Sequence, residues 1–158
     1  MSSPSFATPA PILARAYAPA DRDACLALFD GNVPRFFDAG ERGDFERFLG
    51  GTALASAYQV LLREGRIVAC GGFLIETGEE AHLCWGMVDR ALQGQGLGAR
   101  LTEARLAAAR ATPGVRRVRL DTSQHTQGFY ARFGFQVVSV TPDGYGPGLD
   151  RWDMVLDL

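Results

Sequence analysis

The chain has 158 residues, 47% of them hydrophobic and 22% charged, which suits the core of one domain of ordinary size. Its formal net charge of −2 gives no electrostatic reason to expect nucleic acid or an acidic membrane surface as a partner. No apolar run approaches the roughly 20 residues that span a bilayer, so the sequence predicts no membrane partner.

The N-terminal stretch MSSPSFATPAPILA is rich in Ser, Pro and Ala and lacks the basic and apolar regions of a signal peptide. We therefore predict a mobile leader over residues 1–11, followed by a single domain over residues 12–158. The three cysteines are Cys25, Cys70 and Cys84, an odd number without metal-ligand spacing. They predict core thiols at Cys25 and Cys70, no metal site, and a reducing compartment, which implies a cytoplasmic location.

The first half of the chain predicts a strand, two or three helices and a hairpin. A short strand at residues 13–17 precedes a helix with an N-cap at Asp21 and a stop at Gly31. The next stretch, through residue 51, is rich in Phe and predicts a loop with one or two short amphipathic helices. AYQVLLREGRIVACGGFLI then predicts a β-hairpin, because apolar runs flank Glu64-Gly65, where glycine suits a turn residue with positive φ.

Strands and helices alternate in the second half of the chain. A strand at residues 81–88 precedes a helix at residues 96–111, on which one face carries Leu97, Leu101, Ala104 and Ala108. The remaining elements are a strand at 115–123, a short helix that ends at Gly134, a strand at 135–140, a turn-rich loop at 142–148 and a strand at 151–158. The order β-α-α-β-β-β-α-β-α-β-β predicts a mixed sheet with helices packed on it, an α/β (α+β) fold.

Residues 93–98 read QGQGLG and stand where the helix at residues 96–111 begins. The first N–H groups of a helix lack intrahelical partners, the helix dipole adds partial positive charge, and glycine lets a bulky anion approach. We therefore predict that residues 94–99 cradle a phosphate or pyrophosphate, with Arg100 adding charge. The alternative is a glycine-rich helix entry that binds nothing. A P-loop would require GK[ST] after its glycines, and a dinucleotide fingerprint would require glycine in place of Ala99.

Two motifs resemble the GNAT superfamily of acyl-CoA-dependent N-acyltransferases. Gln93-x-x-Gly96-x-Gly98 matches its Q/R-x-x-G-x-G/A motif, and LDTSQHTQGFYARFGF looks like its strand-five to helix-four segment. Val88 has the family's usual spacing from Gln93, although Arg90 stands where the family usually has proline. The resemblance covers nearly the whole chain after the leader. It implies the GNAT fold, a mixed, mostly antiparallel sheet of six to seven strands flanked by about four helices, with strands four and five splayed.

The resemblance implies an N-acetyltransferase with acetyl-CoA as its cofactor. The acetyl group would pass to the primary amine of a small molecule or peptide by direct attack in a ternary complex. The alternative is a non-catalytic acyl-CoA-binding sensor or interaction domain, which would need only the cofactor contacts. A homodimer is a further expectation that the resemblance carries.

By the same resemblance, the cofactor would lie along strand four, the glycine-rich loop and the segment before helix four. The implied contacts are Gly86, Met87, Val88, Gln93, Gly94, Gln95, Gly96, Leu97, Gly98, Ala99, Arg100 and Ser123. Many relatives carry asparagine where Ser123 stands, and serine lacks the amide. Thr122 or Thr126 is therefore an alternative contact.

Tyr130 and His82 are the implied catalytic residues. Tyr130 belongs to an FY pair in which similar enzymes place a tyrosine beside the CoA sulfur, and it would protonate the departing thiolate. The alternative is a buried core tyrosine. His82 stands where several relatives carry a catalytic Glu or His, and it would take the proton of the acceptor amine. A structural histidine is the alternative, and Glu79 and Glu80 are alternative bases.

Period-2 alternation in the fourth strand supports the choice of His82. It places His82, Cys84, Gly86 and Val88 on one face, so that His82 and Cys84 point into the cofactor cleft. Cys84 lacks an evident His–Asp pair that would activate it as a nucleophile. The other histidine, His125, is expected at the surface or at the rim of the CoA site.

The acceptor site is expected from two loops, at residues 32–37 and 143–148. The aromatic side chains that could line an apolar pocket there, with core packing as the alternative, are Phe36, Phe37, Tyr145 and Trp85. Asp143 or Asp150 would attract a cationic amine, and Arg35 would hold a carboxylate. The sequence gives no order of preference among Asp143, Asp150 and Arg35 as contacts of the acceptor.

Overall fold

A seven-stranded mixed sheet runs through the computed structural model, which describes residues 10–158. The elements are β1 Ile12–Ala16, α1 Arg22–Gly31, α2 Arg42–Gly50, β2 Ala57–Arg63, β3 Arg66–Thr77, β4 Glu80–Val88, α3 Leu97–Ala111, β5 Arg117–Thr122, α4 Gln127–Ala131, β6 Gln136–Gly146 and β7 Leu149–Asp157. The strands lie in the order β1-β2-β3-β4-β5-β7-β6, and only β4 and β5 pair in parallel. The predicted element order and fold class are confirmed. Residues 1–9 of the predicted leader lie outside the described residues.

Alternation along the central strands gives the sheet two apolar faces. Val60 and Cys70 pack with α1 and α2, whereas their chain neighbours Leu61 and Ala69 pack with α3. The helices therefore lie on both sides of the sheet. The predicted core thiols, Cys25 and Cys70, are fully buried in the α1–α2 layer.

The predicted β2–β3 turn and the predicted end of α3 are both present, and residues next to them in the chain explain both. Glu64 and Gly65 have φ values of 52° and 75°, the left-handed pair that matches the twist of a two-residue hairpin. Helix α3 ends at Ala111, two residues before Pro113, and Gly114 takes a φ of 84°. None of the helices within residues 10–158 is long and apolar enough to be a membrane-spanning candidate.

The loop predicted at residues 142–148 is wrong, and the face predicted for α3 is only partly right. The turn-rich loop expected at residues 142–148 is largely strand, because β6 continues to Gly146 and only two residues connect it to β7. The strand register shifts between Thr141 and Gly146, which accommodates Asp143 at a φ of 54°. On α3, Ala104 and Ala108 are only half-buried. Leu97 and Leu101 are buried as predicted, and the buried face also carries Thr102, Arg105, Leu106 and Ala109.

The sheet opens between β4 and β5. The two strands pair only at their beginnings, and the last pair joins His82 to Arg119. Beyond His82, the edge of β4 that faces β5 has no strand partner within residues 10–158, so those backbone groups along residues 83–88 that make no tertiary hydrogen bond are open to a ligand. The predicted splay of strands four and five is thus present.

A β-bulge interrupts β4 at the same place. Between Cys84 and Met87 the chain takes three steps, while β3 takes two between their partners Gly72 and Cys70. Trp85, inside the bulge, has a φ of 44°. The extra residue reverses which side chains face each side of the sheet.

Tertiary hydrogen bonds hold this bulge. The hydroxyl of Tyr58 donates to the carbonyl of Trp85 at 2.8 Å, and the amide of Asn32 donates to the carbonyl of Val88 at 2.9 Å. Because of the bulge, the predicted common face of His82, Cys84, Gly86 and Val88 is wrong at Gly86, which faces Arg105 of α3, and at Val88. Val88 packs on the α3 side, whereas Cys84 packs on the α1–α2 side.

Candidate active site

Two cavities meet in the opening between β4 and β5. The first, of about 440 Å³, follows the loop before α3 and is called here the glycine-loop cavity. The second, of about 370 Å³, lies between β4, β5 and the segment before α2, and is called the acidic cavity because Glu41, Glu76 and Asp121 line it. Six residues line both cavities and form their shared wall: Phe36, Gly86, Met87, Arg105, Thr126 and Tyr130.

Most of the predicted cofactor contacts line the glycine-loop cavity. They are Gly86, Met87, Val88, Gln93, Gly94, Gly96, Leu97, Gly98 and Ala99. Three do not. The amide oxygen of Gln95 accepts a hydrogen bond from Arg63 at 2.8 Å, Arg100 is exposed, and Ser123 is buried in the wall of the acidic cavity. Of the alternatives to Ser123, Thr126 lies in the shared wall, and Thr122 lines the acidic cavity alone.

The geometry of the glycine loop is that of an anion site. Gly94 and Gly96 have φ values of 83° and 80°, and Gly96 is the N-cap of α3. The first intrahelical hydrogen bond runs from the N–H of Arg100 to the carbonyl of Gly96 at 3.1 Å. The N–H groups of residues 97–99 precede it and therefore have no acceptor within the helix.

Arg105 and Tyr130 meet in the shared wall. A guanidinium nitrogen of Arg105 donates to the hydroxyl of Tyr130 at 3.1 Å, and Arg105 is only 3% exposed. Among residues 10–158 it pairs with no carboxylate, and its Nε has no hydrogen-bond partner. The guanidinium lies against Gly86, where a Cβ would come within 2.7 Å of Nη1. Arg105 was not among the predicted site residues. The available signal was a charged residue four positions after Leu101 on the buried face of α3.

His82 lies between two carboxylates in the acidic cavity. Its Nδ1 is 2.9 Å from Oε1 of Glu76, and its Nε2 is 2.9 Å from Oδ1 of Asp121. The hydrogen bond with Asp121, aided by the one with Glu76, raises the pKa of His82 although burial opposes the change. Because both ring nitrogens contact carboxylates, neither is free for a direct contact with an acceptor amine, and the role of His82 as base stays a prediction. Glu76 lies near the end of β3.

Asp121 connects His82 and Glu76 to a side chain on β6. Burial raises the pKa of Asp121, but hydrogen bonds from His82 and Tyr145 and the nearby Arg151 outweigh it and keep the pKa below its usual range. The hydroxyl of Tyr145 donates to the second carboxylate oxygen, and burial beside Asp121 raises the pKa of Tyr145. The four side chains of Glu76, His82, Asp121 and Tyr145 thus form one network across β3, β4, β5 and β6.

Glu41 is a further titratable group that the sequence analysis missed. It lines the acidic cavity at the end of a short 3₁₀ helix, Ala39–Glu41, and its Oε2 accepts the N–H of Asp38 at 2.8 Å. Burial raises the pKa of Glu41 to about 7, with the hydrogen bond from Asp38 opposing the change. Its only signal in the sequence is the Asp-x-x-Glu spacing of a capping box.

The remaining predicted residues divide between the cavities and the surface. All four aromatic candidates line the acidic cavity: Phe36, Phe37, Trp85 and Tyr145. His125 lines the glycine-loop cavity. Outside both cavities lie Arg35, Glu79, Glu80, Asp143 and Asp150. Asp143 instead caps the β6–β7 turn by accepting the N–H of Gly148 at 2.7 Å.

Cys84 lines the acidic cavity but is a poor nucleophile. Burial raises the pKa of Cys84 to about 12, so the thiol keeps its proton at neutral pH. His82 and Asp121 do line the same cavity, but within residues 10–158 neither hydrogen-bonds to Cys84, so this thiol remains unactivated.

The family model for the acetyltransferase (GNAT) domain matches residues 46–158. The chain belongs to the GNAT acetyltransferase family. A comparison with curated proteins finds no match.

Solved structures share this fold at low sequence identity. A GNAT-family protein from Desulfovibrio desulfuricans has a TM-score of 0.76 and 22% identity, over 93% of this chain and 99% of that one. The ribosomal-protein-S18-alanine N-acetyltransferase of Escherichia coli has a TM-score of 0.75 and 20% identity, over 92% and 93%. A Salmonella typhimurium protein with its cofactor acetyl-CoA has a TM-score of 0.70 and 18% identity, over 94% of each chain. At these identities the likeness is one of fold.

Proposed function

We propose that the protein is an N-acetyltransferase that transfers an acetyl group from acetyl-CoA to a primary amine by direct attack in a ternary complex. The observation that carries this proposal is the position of Tyr130 in the wall that the two cavities share. A donor in the glycine-loop cavity and an acceptor in the acidic cavity would meet at this side chain. The Salmonella typhimurium protein with acetyl-CoA, and an aminoglycoside 6′-N-acetyltransferase with coenzyme A, support the choice of donor.

The chemistry of the glycine-loop cavity fits acetyl-CoA. The N–H groups of residues 97–99 would hold the pyrophosphate, and the open edge of β4 at residues 86–88 would pair with the amides of the pantetheine arm. Acetyl-CoA supplies the acetyl group as an activated thioester. Gln95, Arg100 and Ser123 stay predicted contacts, since they lie outside this cavity.

Tyr130 is proposed as the acid that protonates the departing thiolate. Because Arg105 donates to its hydroxyl oxygen, the hydroxyl hydrogen can point toward the thiolate, and the cation would stabilise the phenolate that remains. A backbone N–H near Val88 would stabilise the oxyanion of the tetrahedral intermediate. His82 is held by carboxylates on both sides, so another base is proposed for the proton of the acceptor amine.

Tyr130→Phe tests this function. We expect kcat to fall about 100-fold, because a positioned acid is lost, while the affinity for acetyl-CoA stays near that of the unchanged protein. Thiol release from acetyl-CoA would be followed against a mixed panel of amines, amino acids and peptides, with calorimetric titration of acetyl-CoA and a melting curve alongside. Full activity in the folded variant would remove Tyr130 as the acid. Tight acetyl-CoA binding without turnover on any acceptor would instead favour the non-catalytic acyl-CoA-binding alternative.

A further inference from the structure

Glu41 is the one carboxylate in the wall of the acidic cavity that lacks a cationic partner within residues 10–158. Glu76 and Asp121 both contact His82, but Glu41 forms no ion pair with any residue that the structure describes. One oxygen, Oε2, accepts the N–H of Asp38, and the other makes no hydrogen bond to the described part of the chain. A carboxylate with an unused oxygen therefore faces a cavity large enough for a small ligand.

The groups around Glu41 make its negative charge unfavourable until a cation arrives. Three carboxylates raise its pKa: Asp38 lies on its own segment, Asp44 on α2 and Asp121 on β5. Asp121 also lines the cavity of Glu41, and the other titratable and charged groups that do so are His82 and Cys84 on β4, Glu76 on β3, Arg105 on α3, and Tyr130 and Tyr145 on α4 and β6. Within this set the cations are committed elsewhere, since His82 binds two carboxylates and Arg105 binds Tyr130.

Aromatic rings line the rest of the same cavity. Phe37 and Trp85 lie 6.1 Å apart in a stacked arrangement, and Phe36 belongs to the wall shared with the glycine-loop cavity. Aromatic faces attract ammonium groups and also cover apolar carbon. The cavity thus offers one unpaired carboxylate next to an apolar surface.

We propose that Glu41 binds the ammonium group of the acceptor and removes its proton, and that the acceptor is a primary amine carried on an apolar or aromatic group. This inference rests on the proposed function and specifies its acceptor. Glu41 would act on the amine, whereas Tyr130 would act on the thiolate.

The proton balance of the step is complete. The carboxylate of Glu41 takes one proton from the ammonium, and the neutral amine forms a C–N bond to the thioester carbonyl carbon. Collapse of the tetrahedral intermediate breaks the C–S bond, and the thiolate takes a proton from Tyr130. The second proton lost by the nitrogen returns to the phenolate, and Glu41 releases its proton to water. A pKa of about 7 suits this cycle, because the group can take and release a proton near neutral pH.

Glu41→Gln separates the proposed role of Glu41 as a base from its role in capping the short 3₁₀ helix. The capping hydrogen bond with the N–H of Asp38 needs only an acceptor oxygen, which glutamine keeps, so we expect an unchanged melting temperature. Without the basic group, kcat/KM should fall about 100-fold, and the rise in rate with pH near 7 should disappear. The matched control is Glu103→Gln on the exposed side of α3, which should leave both the rate and its pH profile unchanged.

A binding experiment gives a readout that does not depend on turnover. 2-Phenylethylamine and its neutral analogue 2-phenylethanol would be titrated calorimetrically into the protein in the presence of coenzyme A. As Glu41 ionises between pH 6 and pH 8, the amine should bind up to about tenfold more tightly, since the amine itself stays protonated over this range. The alcohol should show no such change, and Glu41→Gln should abolish it for the amine.

The outcomes distinguish the two proposals. Equal binding of amine and alcohol, or an unchanged pH dependence of rate and binding in Glu41→Gln, would overturn the role of Glu41 and leave acetyl transfer intact. Loss of the amine preference in Glu41→Gln, together with no thiol release from the unchanged protein, would support the amine site and contradict acetyl transfer.

Discussion

Arg105 shows how a single side chain can define the chemistry of this cleft. A buried guanidinium without a carboxylate is costly, so its retention in the shared wall calls for a compensating role. Gly86 leaves the space that the guanidinium fills, and the hydroxyl of Tyr130 accepts its hydrogen bond. The same cation lies where negative charge would develop on the phenolate during transfer.

Replacing Arg105 tests this idea at the residue scale. In Arg105→Met, kcat should fall about tenfold or more, because a hydrogen bond to a charged group contributes about 1.5–3 kcal/mol. Arg105→Lys keeps the charge and should recover part of the loss. Steady-state kinetics with both variants would separate kcat from the KM for acetyl-CoA. If the two substitutions lower kcat equally and in step with the melting temperature, Arg105 serves packing alone.

At the scale of elements, the start of α3 is the feature that the cofactor assignment depends on. Gly98 has ordinary helical φ, and a Cβ there would meet Phe129 at 3.5 Å, an ordinary contact, so alanine should be tolerated. Aspartate at this position would interact favourably with the dipole of α3 and should not lower stability. It would, however, place a negative charge where the pyrophosphate is expected.

Gly98→Asp should therefore weaken acetyl-CoA binding about tenfold or more while the protein stays folded, since like charges in contact cost more than 1 kcal/mol away from bulk water. Calorimetric titration of acetyl-CoA would measure the change, with Gly98→Ala as the control for added bulk. Equal weakening in both variants would indicate a steric effect. Unchanged affinity in Gly98→Asp would exclude the anion site.

The helices, strands and turns show which features of the fold can be predicted from the sequence alone. Periodicity and turn residues predict the element order, and Glu64-Gly65 predicts its hairpin, because these depend on neighbours in the chain. The bulge at Trp85 depends on hydrogen bonds from Tyr58 and Asn32, which are distant in sequence, so period-2 alternation misplaced Val88. The prediction of a loop at residues 142–148 failed for a related reason, since β7 supplies the pairing that extends β6.

Some residues of the candidate site could likewise be predicted from the sequence, and others could not. Motif spacing located the glycine loop and Tyr130, whose positions follow from the order of strands and helices. Glu41, Glu76 and Arg105 carry ordinary surface residue types, and their importance arises from the neighbours that the fold gives them, together with burial for Glu41 and Arg105. His82 was found by its position, but its carboxylate partners come from β3 and β5, and they determine its protonation.

At the scale of the whole molecule, the open side of the sheet is held together by the network around His82. This histidine links β4 to Glu76 on β3 and to Asp121 on β5, just where the pairing of β4 and β5 ends. The network replaces strand hydrogen bonds that the splay removes. Its charges should therefore make the stability of the domain depend on pH.

The direction of this dependence follows from the two pKa shifts. The pKa of His82 is raised, so its contribution is fully present below the unfolded value of about 6.5 and disappears as pH rises through the folded pKa. The pKa of Asp121 is lowered, so its contribution is present above about pH 4 and disappears as pH falls through the folded pKa. The network should stabilise the protein most between these limits.

His82→Gln should accordingly lower the free energy of unfolding by on the order of 1 kcal/mol near pH 6, with a smaller loss near pH 9, because the partly exposed pair is screened. Urea denaturation at several pH values would measure the difference. His125→Gln is the control, since burial and Arg35 lower the pKa of this exposed histidine and give it the opposite pH trend. A loss in His82→Gln that is the same at pH 6 and pH 9 would show that the ring stabilises the open side by packing, and that its charge contributes nothing.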